Sequence, residues 1–258
     1  MKSKMVICIP SKGKHEEIAE RIGKICPEWI DCVVGAEESE AKAYEETLAN
    51  HNVHILHVEN NCGVGGNRKA LAKYALENGY EYSIPTDDNV QIADLEDFKK
   101  VEEVMDLCPG IAVLGATNRL GTLYNGWGEL PKYSLVQSKC FWVLSCHRTS
   151  IYQYLMWDEK LPTSEDTDMS LRVMAEFGPE ALKVLTGWNF EKQRHEKGGY
   201  TSYRGVDKNM AERTMSLPRL LEKHGKFFYW LEKKNTICTQ WKKFIKNIDT
   251  TKIREVPR

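Results

Sequence analysis

The run Met5-Val6-Ile7-Cys8-Ile9-Pro10-Ser11-Lys12-Gly13 decides the fold class of this chain. Five consecutive apolar residues without polar alternation need cover on both faces, the pattern of a strand inside a parallel sheet. Pro10 to Gly13 stop the run. His15 to Ile25 follow with apolar residues at 18, 19, 22 and 25, which share one helix face. Working outward, the same alternation repeats. Strands are predicted at 32–35, 53–58 and 82–85, with helices near 39–49 and 67–77 between them. Strands alternating with helices at this spacing imply right-handed crossovers and a mainly parallel sheet flanked by helices, an α/β, Rossmann-like architecture.

Further along, a helix is expected over 95–105, a strand over 111–116, an aromatic, Gly-rich loop at 122–128, and a strand pair over 133–137 and 140–146. Residues 163–168 open a helix reaching about 177. Beyond Gly187 the strand signal fades into a polar, Gly-rich loop, a helix near 207–224 and a Trp- and Lys-rich tail. No internal repeat interrupts this order. The expected organisation is one α/β domain over 1–200, with a basic helical extension over 201–258 packed on it.

With 258 residues, 41% of them hydrophobic and 28% charged, the composition is globular and excludes a disordered or fibrous chain. The net charge of −1 hides an asymmetry. Residues 1–185 hold 19 Lys and Arg against 29 Asp and Glu, whereas residues 186–258 hold 17 against 8. A basic end can lie on a polyanion even when the whole molecule is neutral, because phosphate contacts release counterions locally. The competing reading is a set of solvated helix faces. Eight cysteines without a C-x-x-C pair read as reduced thiols of a cytoplasmic protein, neither a zinc site nor a disulfide frame. The apolar run before Pro10 is too short for a signal sequence. No stretch approaches the roughly 20 apolar residues of a membrane span, so no membrane association is expected.

Ligands of a parallel sheet sit outside the carboxyl ends of its strands. Pro10, Ser11 and Lys12 form one such end, able to surround a nucleotide or to make an ordinary turn. Asn60-Asn61-Cys62-Gly63-Val64-Gly65-Gly66-Asn67-Arg68-Lys69 forms another, where Gly65 and Gly66 would let backbone approach a diphosphate and Arg68 or Lys69 would add a cation. It matches neither a Walker A loop nor the dinucleotide fingerprint. Thr86-Asp87-Asp88-Asn89 puts two carboxylates and an amide at a third strand end, hard oxygen donors suited to Mg²⁺ or Mn²⁺ carried with a nucleotide diphosphate. An Asx-turn is the plainer reading. Thr163-Ser164-Glu165-Asp166-Thr167-Asp168 is either an acidic, capped helix start or the seat of a general base. His195, in a charged, Gly-rich loop, is a candidate metal ligand in company with the acidic motif.

Taken in order, these pieces resemble the nucleotide-sugar-dependent glycosyltransferases of the GT-A fold, over residues 5 to about 199. Ile9-Pro10-Ser11-Lys12-Gly13 is similar to their first nucleotide-binding strand end, Gly65-Gly66-Asn67-Arg68 to the donor-binding helix start, and Asp87-Asp88-Asn89 to the D-x-D metal motif with Asn89 in place of the last Asp. The resemblance leaves open whether Asp88 or Asn89 contacts the metal. Ser164-Glu165-Asp166 is similar to the x-E-D motif of inverting members, which implies Asp166 as base beside Glu165, and His195 corresponds to the His that completes the metal shell.

Gly63 to Leu71, the T-D-D-N, the E-D-T-D followed by Ser-Leu-Arg and the basic Gly-Gly-Tyr loop resemble, more narrowly, the TET/JBP-associated glycosyltransferases, including phage versions. What this implies is a Mn²⁺- or Mg²⁺-dependent transferase using UDP-glucose or UDP-N-acetylglucosamine. Its acceptor would be 5-hydroxymethylcytosine, or a related hydroxymethylpyrimidine, in DNA bound by the basic C-terminal region. In a phage the protein would work in the host cytoplasm, as a monomer or small oligomer. Trp188, Tyr200, Tyr203, Trp230 and Trp241, interleaved with Lys192, Arg194, Lys197, Arg204, Lys226 and Lys242, could stack bases and bind phosphates, or anchor a core. Three rivals stand beside this: the same chemistry on a polysaccharide or protein, a sugar-nucleotide pyrophosphorylase, whose Gly-rich loop would follow the first strand and not the third, and a non-catalytic DNA-binding module.

Overall fold

Strand β1 (Met5–Pro10) is buried along its whole length, and its side chains divide between two cores. Met5, Ile7 and Ile9 pack with Ile18 and Ile22 of α1 (His15–Ile25) and with Tyr44 and Leu48 of α2 (Ala41–Leu48). Val6 and Cys8 point the other way, toward Leu71 and Ala75 of α3 (Gly63–Glu77). Successive side chains of a strand leave on opposite faces, so a strand apolar at every position has to be covered twice. The helix–sheet–helix layering follows from that. The computed structural model describes residues 3–118, 131–138, 140, 144–192, 215–231 and 236–258.

β2 (Asp31–Glu37) and β4 (Tyr82–Pro85) flank β1 in parallel, with Ile7 opposite both Cys32 and Ile84, and β3 (Val53–Val58) extends the parallel half on the β2 side. Past β4 the sheet becomes mixed. β8 (Ser145–Arg148) pairs antiparallel with β4 and with β6 (Val113–Asn118). β6 runs parallel to β9 (Leu182–Lys192), which takes β5 (Val90–Ile92) and β7 (Leu135–Gln137) as antiparallel partners. Among the described residues the order is β3-β2-β1-β4-β8-β6-β9-β5, with β7 off this path.

Phe98, Val101 and Met105 of α4 (Asp97–Leu107) join the β1 core. The far half of the sheet has its own core, where Met169, Leu171, Val173 and Met174 of α5 (Glu165–Phe177) meet Val113 and Leu182. Leu220 of α6 (Leu217–His224), Phe228 of β10 (Phe228–Leu231) and Phe244 of α7 (Trp241–Lys246) complete it. The C-terminal segment therefore shares the core of α5. No helix among the described residues is long and apolar enough to cross a membrane.

Differences from the expected elements have physical causes. β9 runs on through Gly187 to Lys192, where the strand signal fades in sequence. Gly187 has φ 86°, and the register of β6 on β9 shifts between Gly115 and Thr117, so an irregularity built on a glycine broke the alternation. Trp188 is fully buried, edge-on to Phe98 at 6.0 Å, and is a core residue rather than a base-stacking one. β11 (Thr236–Thr239) pairs antiparallel with β10 inside the expected Trp- and Lys-rich tail. The helix expected over 207–224 is described only as α6. The loop 122–128, His195, Arg194, Lys197, Tyr200, Tyr203 and Arg204 lie outside the described residues.

Candidate active site

Because β1, β2 and β4 are parallel neighbours, their carboxyl ends meet at one edge of the sheet. Pro10 closes β1 opposite Gly35. The Ser11 N–H donates to the Gly35 carbonyl at 3.0 Å, and the Ser11 hydroxyl lies 2.8 Å from the Tyr44 hydroxyl while donating to Asp88 Oδ2 at 3.1 Å. Lys14 Nζ donates to Asp88 Oδ1 at 3.1 Å, and Lys12 Nζ to Glu37 Oε2 at 2.5 Å. All these side chains are buried. Glu37 Oε1 and Thr86 Oγ1 are buried at the same edge without a hydrogen-bond partner among the described residues. Buried polar atoms are nearly always paired, so two orphans at strand ends mark room for a polar ligand.

Two adjacent carboxylates can both stay ionised only if positive charge stands beside them. The protein supplies it twice, Lys14 for Asp88 and Arg68 for Asp87, whose Oδ1 accepts from Arg68 Nη2 at 2.7 Å. The other Arg68 terminal nitrogen, Nη1, stands 3.6 Å from Glu165 Oε1, and the guanidinium lies 5.0 Å over the Trp157 ring. Behind Trp157 stacks His147, whose imidazole is pushed down to about 3 by burial and by the Arg68 charge, and so is neutral. Burial also works against the charge of Arg68, but Glu165 and Asp87 outweigh it and raise its pKa.

The two glycines at this strand end lie close against the chain itself, Gly65 against backbone and Gly66 against side chains. α3 starts at Gly63, ahead of the expected start at 67, so Gly65 and Gly66 are helical residues rather than a loop, in the same helix as Arg68 and Lys69. A methyl group on Gly65 would lie 2.3 Å from the Asp158 carbonyl oxygen and 2.8 Å from that of Leu161, and one on Gly66 would meet Cys62 Cβ at 2.8 Å. Lys69 pairs with Glu159 on the surface at 2.6 Å. The segment 158–161, immediately ahead of α5, is thus pressed onto the start of α3. Gly65→Ala is expected to cost about 1–3 kcal/mol through overpacking. A thermal melt should then show a fall of roughly 2–4 °C per kcal/mol.

Ser164, the residue before α5, has a left-handed φ of 62° and makes no side-chain cap. The Ser hydroxyl therefore does not cap the helix as a plain acidic helix start would have it. Glu165 is buried against Arg68. Burial pushes its carboxyl up to about 7, with the Arg68 charge pulling down and the Asp166 charge pushing up. Asp166 is half-buried and accepts from the Thr167 N–H at 2.7 Å.

Among the described residues no three His, Cys, Asp or Glu side chains converge as a metal centre. Asp87, Asp88 and Asn89 nevertheless present hard oxygen donors at one strand end. Such a set suits a divalent cation that arrives with substrate phosphates, and does not make an all-protein cage. Residues that sequence reasoning passed over include Glu37 and Lys14, which the strand-end rule could have found. Tyr44, Trp157, Asp158 and His224 join the site only through tertiary contacts, for which the sequence carries no periodic signal.

No known protein family and no curated protein matches this chain in sequence. Solved structures match it in fold. A crystal structure of residues 1–349 of TarS from S. aureus in complex with UDP-GlcNAc aligns with a TM-score of 0.58 and 18% identity, over 85% of this chain and 67% of that one. Another crystal structure of the same fragment aligns with a TM-score of 0.54 over 74% of this chain and 59% of its own length, so the chain spans less than two thirds of it. Glucosyl-3-phosphoglycerate synthase from Mycobacterium tuberculosis, in complex with Mn²⁺, UDP-glucose and phosphoglyceric acid, aligns with a TM-score of 0.55 and 12% identity, over 92% and 86%. With its mixed sheet, parallel in the N-terminal half and flanked by helices, the chain has the α/β, Rossmann-like GT-A fold.

Proposed function

We propose that this protein is a metal-dependent, inverting glycosyltransferase that moves a sugar from UDP-glucose or UDP-N-acetylglucosamine to a hydroxyl acceptor. The observation that carries the reading is the Asp87–Arg68–Glu165 bridge, which ties the acidic end of β4 to the first turn of α5. An acidic pair and a carboxylate base are what transfer from a nucleotide sugar requires, and they come here from segments 78 residues apart. The sheet edge with Ser11, Lys12 and Glu37 would take the nucleoside.

Asp88 or Asn89 would hold Mn²⁺ or Mg²⁺, with His195 as the further ligand expected from the sequence, and the ion would neutralise charge on the leaving diphosphate. Asp166 accepts the acceptor's proton as that oxygen attacks the anomeric carbon. The bond from that carbon to the diphosphate breaks, and its electron pair leaves with UDP. Arg68 keeps Glu165 and the strand end at a fixed spacing, while Trp157 shields them from water.

For the acceptor, a polysaccharide or protein hydroxyl is the better-supported reading. The fold neighbours were solved with nucleotide sugars and, in one case, phosphoglyceric acid. Part of the basic C-terminal charge is also neutralised internally: Arg219 and Lys223 pair with Asp158, Arg254 with Glu176, and Lys252 with Asp249. Hydroxymethylated DNA, implied by the resemblance to the TET/JBP-associated enzymes, is the second reading. It rests on Lys226, Lys242, Lys243, Lys246 and Arg258, which make no ion pair among the described residues.

Incubation with Mn²⁺, a panel of UDP-sugars and the three acceptor classes tests all of this. UDP release is expected to need Mn²⁺, to stop with EDTA and to return with Mn²⁺ or Mg²⁺. EDTA-insensitive transfer contradicts the metal assignment, and a product retaining the donor's anomeric configuration excludes a single inverting displacement. A hexose-sized mass gain on nucleosides from digested DNA, with binding that weakens steeply in salt, would move the acceptor back to DNA.

A further inference from the structure

The structure assigns α6 the role of a splint for the Glu165–Asp166 pair, with Asp168 as the positioning residue through which it acts. This rests on the transfer reading above for its catalytic consequence, but its geometry stands independently.

α6 grips the start of α5 at two points. Ser216, the residue before α6, is fully buried and donates from its hydroxyl to the Thr163 carbonyl at 3.0 Å. The same oxygen accepts from the Thr163 N–H at 3.2 Å and lies 2.8 Å from the Thr163 hydroxyl. At the opposite end of α6, Lys223 Nζ and His224 Nε2 both reach Asp168 Oδ1, at 2.5 and 2.8 Å. Arg172 lies 3.4 Å from the other Asp168 oxygen. Asp168 is buried; burial pushes its carboxyl up, but the His224 and Lys223 bonds prevail and hold it below the usual carboxylate value.

Between Thr163 and Asp168 lie only Ser164, Glu165, Asp166 and Thr167. Ser164 holds a left-handed conformation that a residue with a Cβ keeps only where its surroundings over-determine it. Its hydroxyl does not cap the helix, and contacts from Ser216 and α6 bracket this start on both sides. Lys223 supplies a further one. Its ammonium also reaches Asp158 Oδ2 at 2.9 Å, beside Arg219 Nε at 3.0 Å on the same oxygen. Asp158 belongs to the segment that presses on Gly65 of α3. The contacts close a ring: α6 to Asp168 and Asp158, Asp158 to α3, and Arg68 of α3 back to Glu165. Further along α5, Met169, Leu171, Val173 and Met174 pack into the core, Arg172 donates to the Met156 carbonyl and Glu176 pairs with Arg254, neither of these polar contacts coming from α6. The polar contacts made by Ser216 and α6 fall at the residues that bracket the acids, where small displacements change a reaction most.

Lys223→Met, Lys223→Arg and Ser216→Ala separate positioning from stability. Donor hydrolysis with Mn²⁺ and UDP-sugar gives kcat and KM, and amide hydrogen exchange reports on residues 165–168. For Lys223→Met, kcat is expected to fall about 10- to 100-fold with donor KM within about twofold. Ser216→Ala should lower kcat in the same sense, and Lys223→Arg should regain most of the loss. Exchange at 165–168 should quicken roughly tenfold while the β1 amides stay protected. Unchanged kcat in folded Lys223→Met, or a loss that only tracks the folded fraction, overturns the inference. If the wild-type protein consumes no UDP-sugar, the transfer reading fails, and the exchange measurement still decides: unchanged exchange at 165–168 in Lys223→Met overturns the splint.

Discussion

Replacing Asp166 with Asn is expected to lower sugar transfer about 100- to 10,000-fold, the range that a positioned general base contributes. Donor binding, measured by calorimetry with Mn²⁺ and UDP-sugar, should change by no more than about threefold, since an interaction made only in the transition state affects kcat and leaves ground-state binding alone. The environments of the two acids at the start of α5 make the choice between them. Glu165 is buried behind Arg68 and pushed up to about 7, so a good part of it carries a proton at neutral pH. Asp166 is half-buried, makes no ion pair with Arg68, and its Oδ1 is oriented by the Thr167 N–H. Asn preserves that contact and the volume while removing the proton acceptor. Full turnover by the Asp166→Asn enzyme would defeat the assignment, and the base would then be sought at Glu165.

The parallel half of the sheet was legible because its signal is local. An apolar run at 5–9 stopped by Pro-Ser-Lys-Gly, followed by an 18, 19, 22, 25 spacing, needs no tertiary information, and β1, α1, β3 and β4 fall where that reading puts them. The three-residue strand β5 and the bulged β9 are defined by partners remote in sequence, so local periodicity misses them. Gly65 and Gly66 show a subtler limit. A pair of glycines at a helix start says that something approaches closely, but not whether that something is a phosphate or, as the structure has it, the carbonyls of residues 158 and 161 at Gly65 and the Cys62 side chain at Gly66. The charge asymmetry behaved in the same way. Its sign was readable, yet Lys223 and His224 meet Asp168 across some 55 residues, and sequence does not distinguish such paired cations from those open to a polyanion.

Arg68→Met is expected to destabilise the fold by about 3–5 kcal/mol at pH 8, because it leaves two carboxylates at a largely buried site without their cation. The deficit should shrink as pH falls to 6, read from denaturant midpoints. A carboxyl whose folded pKa is raised contributes stability that is fully present below its unfolded value and is lost as pH rises through the folded one, here about 7 for Glu165. Arg68 is the charge that pulls Glu165 down. Without it the folded value moves higher, so at pH 6 Glu165 sheds its cost by holding a proton, whereas at pH 8 it has to ionise unpaired or bind a proton against the solution. Asp87 is more exposed and is screened by solvent, so its share of the loss is smaller and nearly flat over this window. The pH-dependent part therefore reports on Glu165 and the flat part on Asp87. Arg68→Lys provides the discriminating comparison. An ammonium restores charge at one point, but only the guanidinium fork reaches Asp87 with one nitrogen and Glu165 with the other. Intermediate stability with impaired turnover is the outcome expected if the bridge itself, and not merely a positive charge, holds the acidic end of β4 to the start of α5. Wild-type behaviour of Arg68→Lys in both assays would reduce Arg68 to a counter-charge.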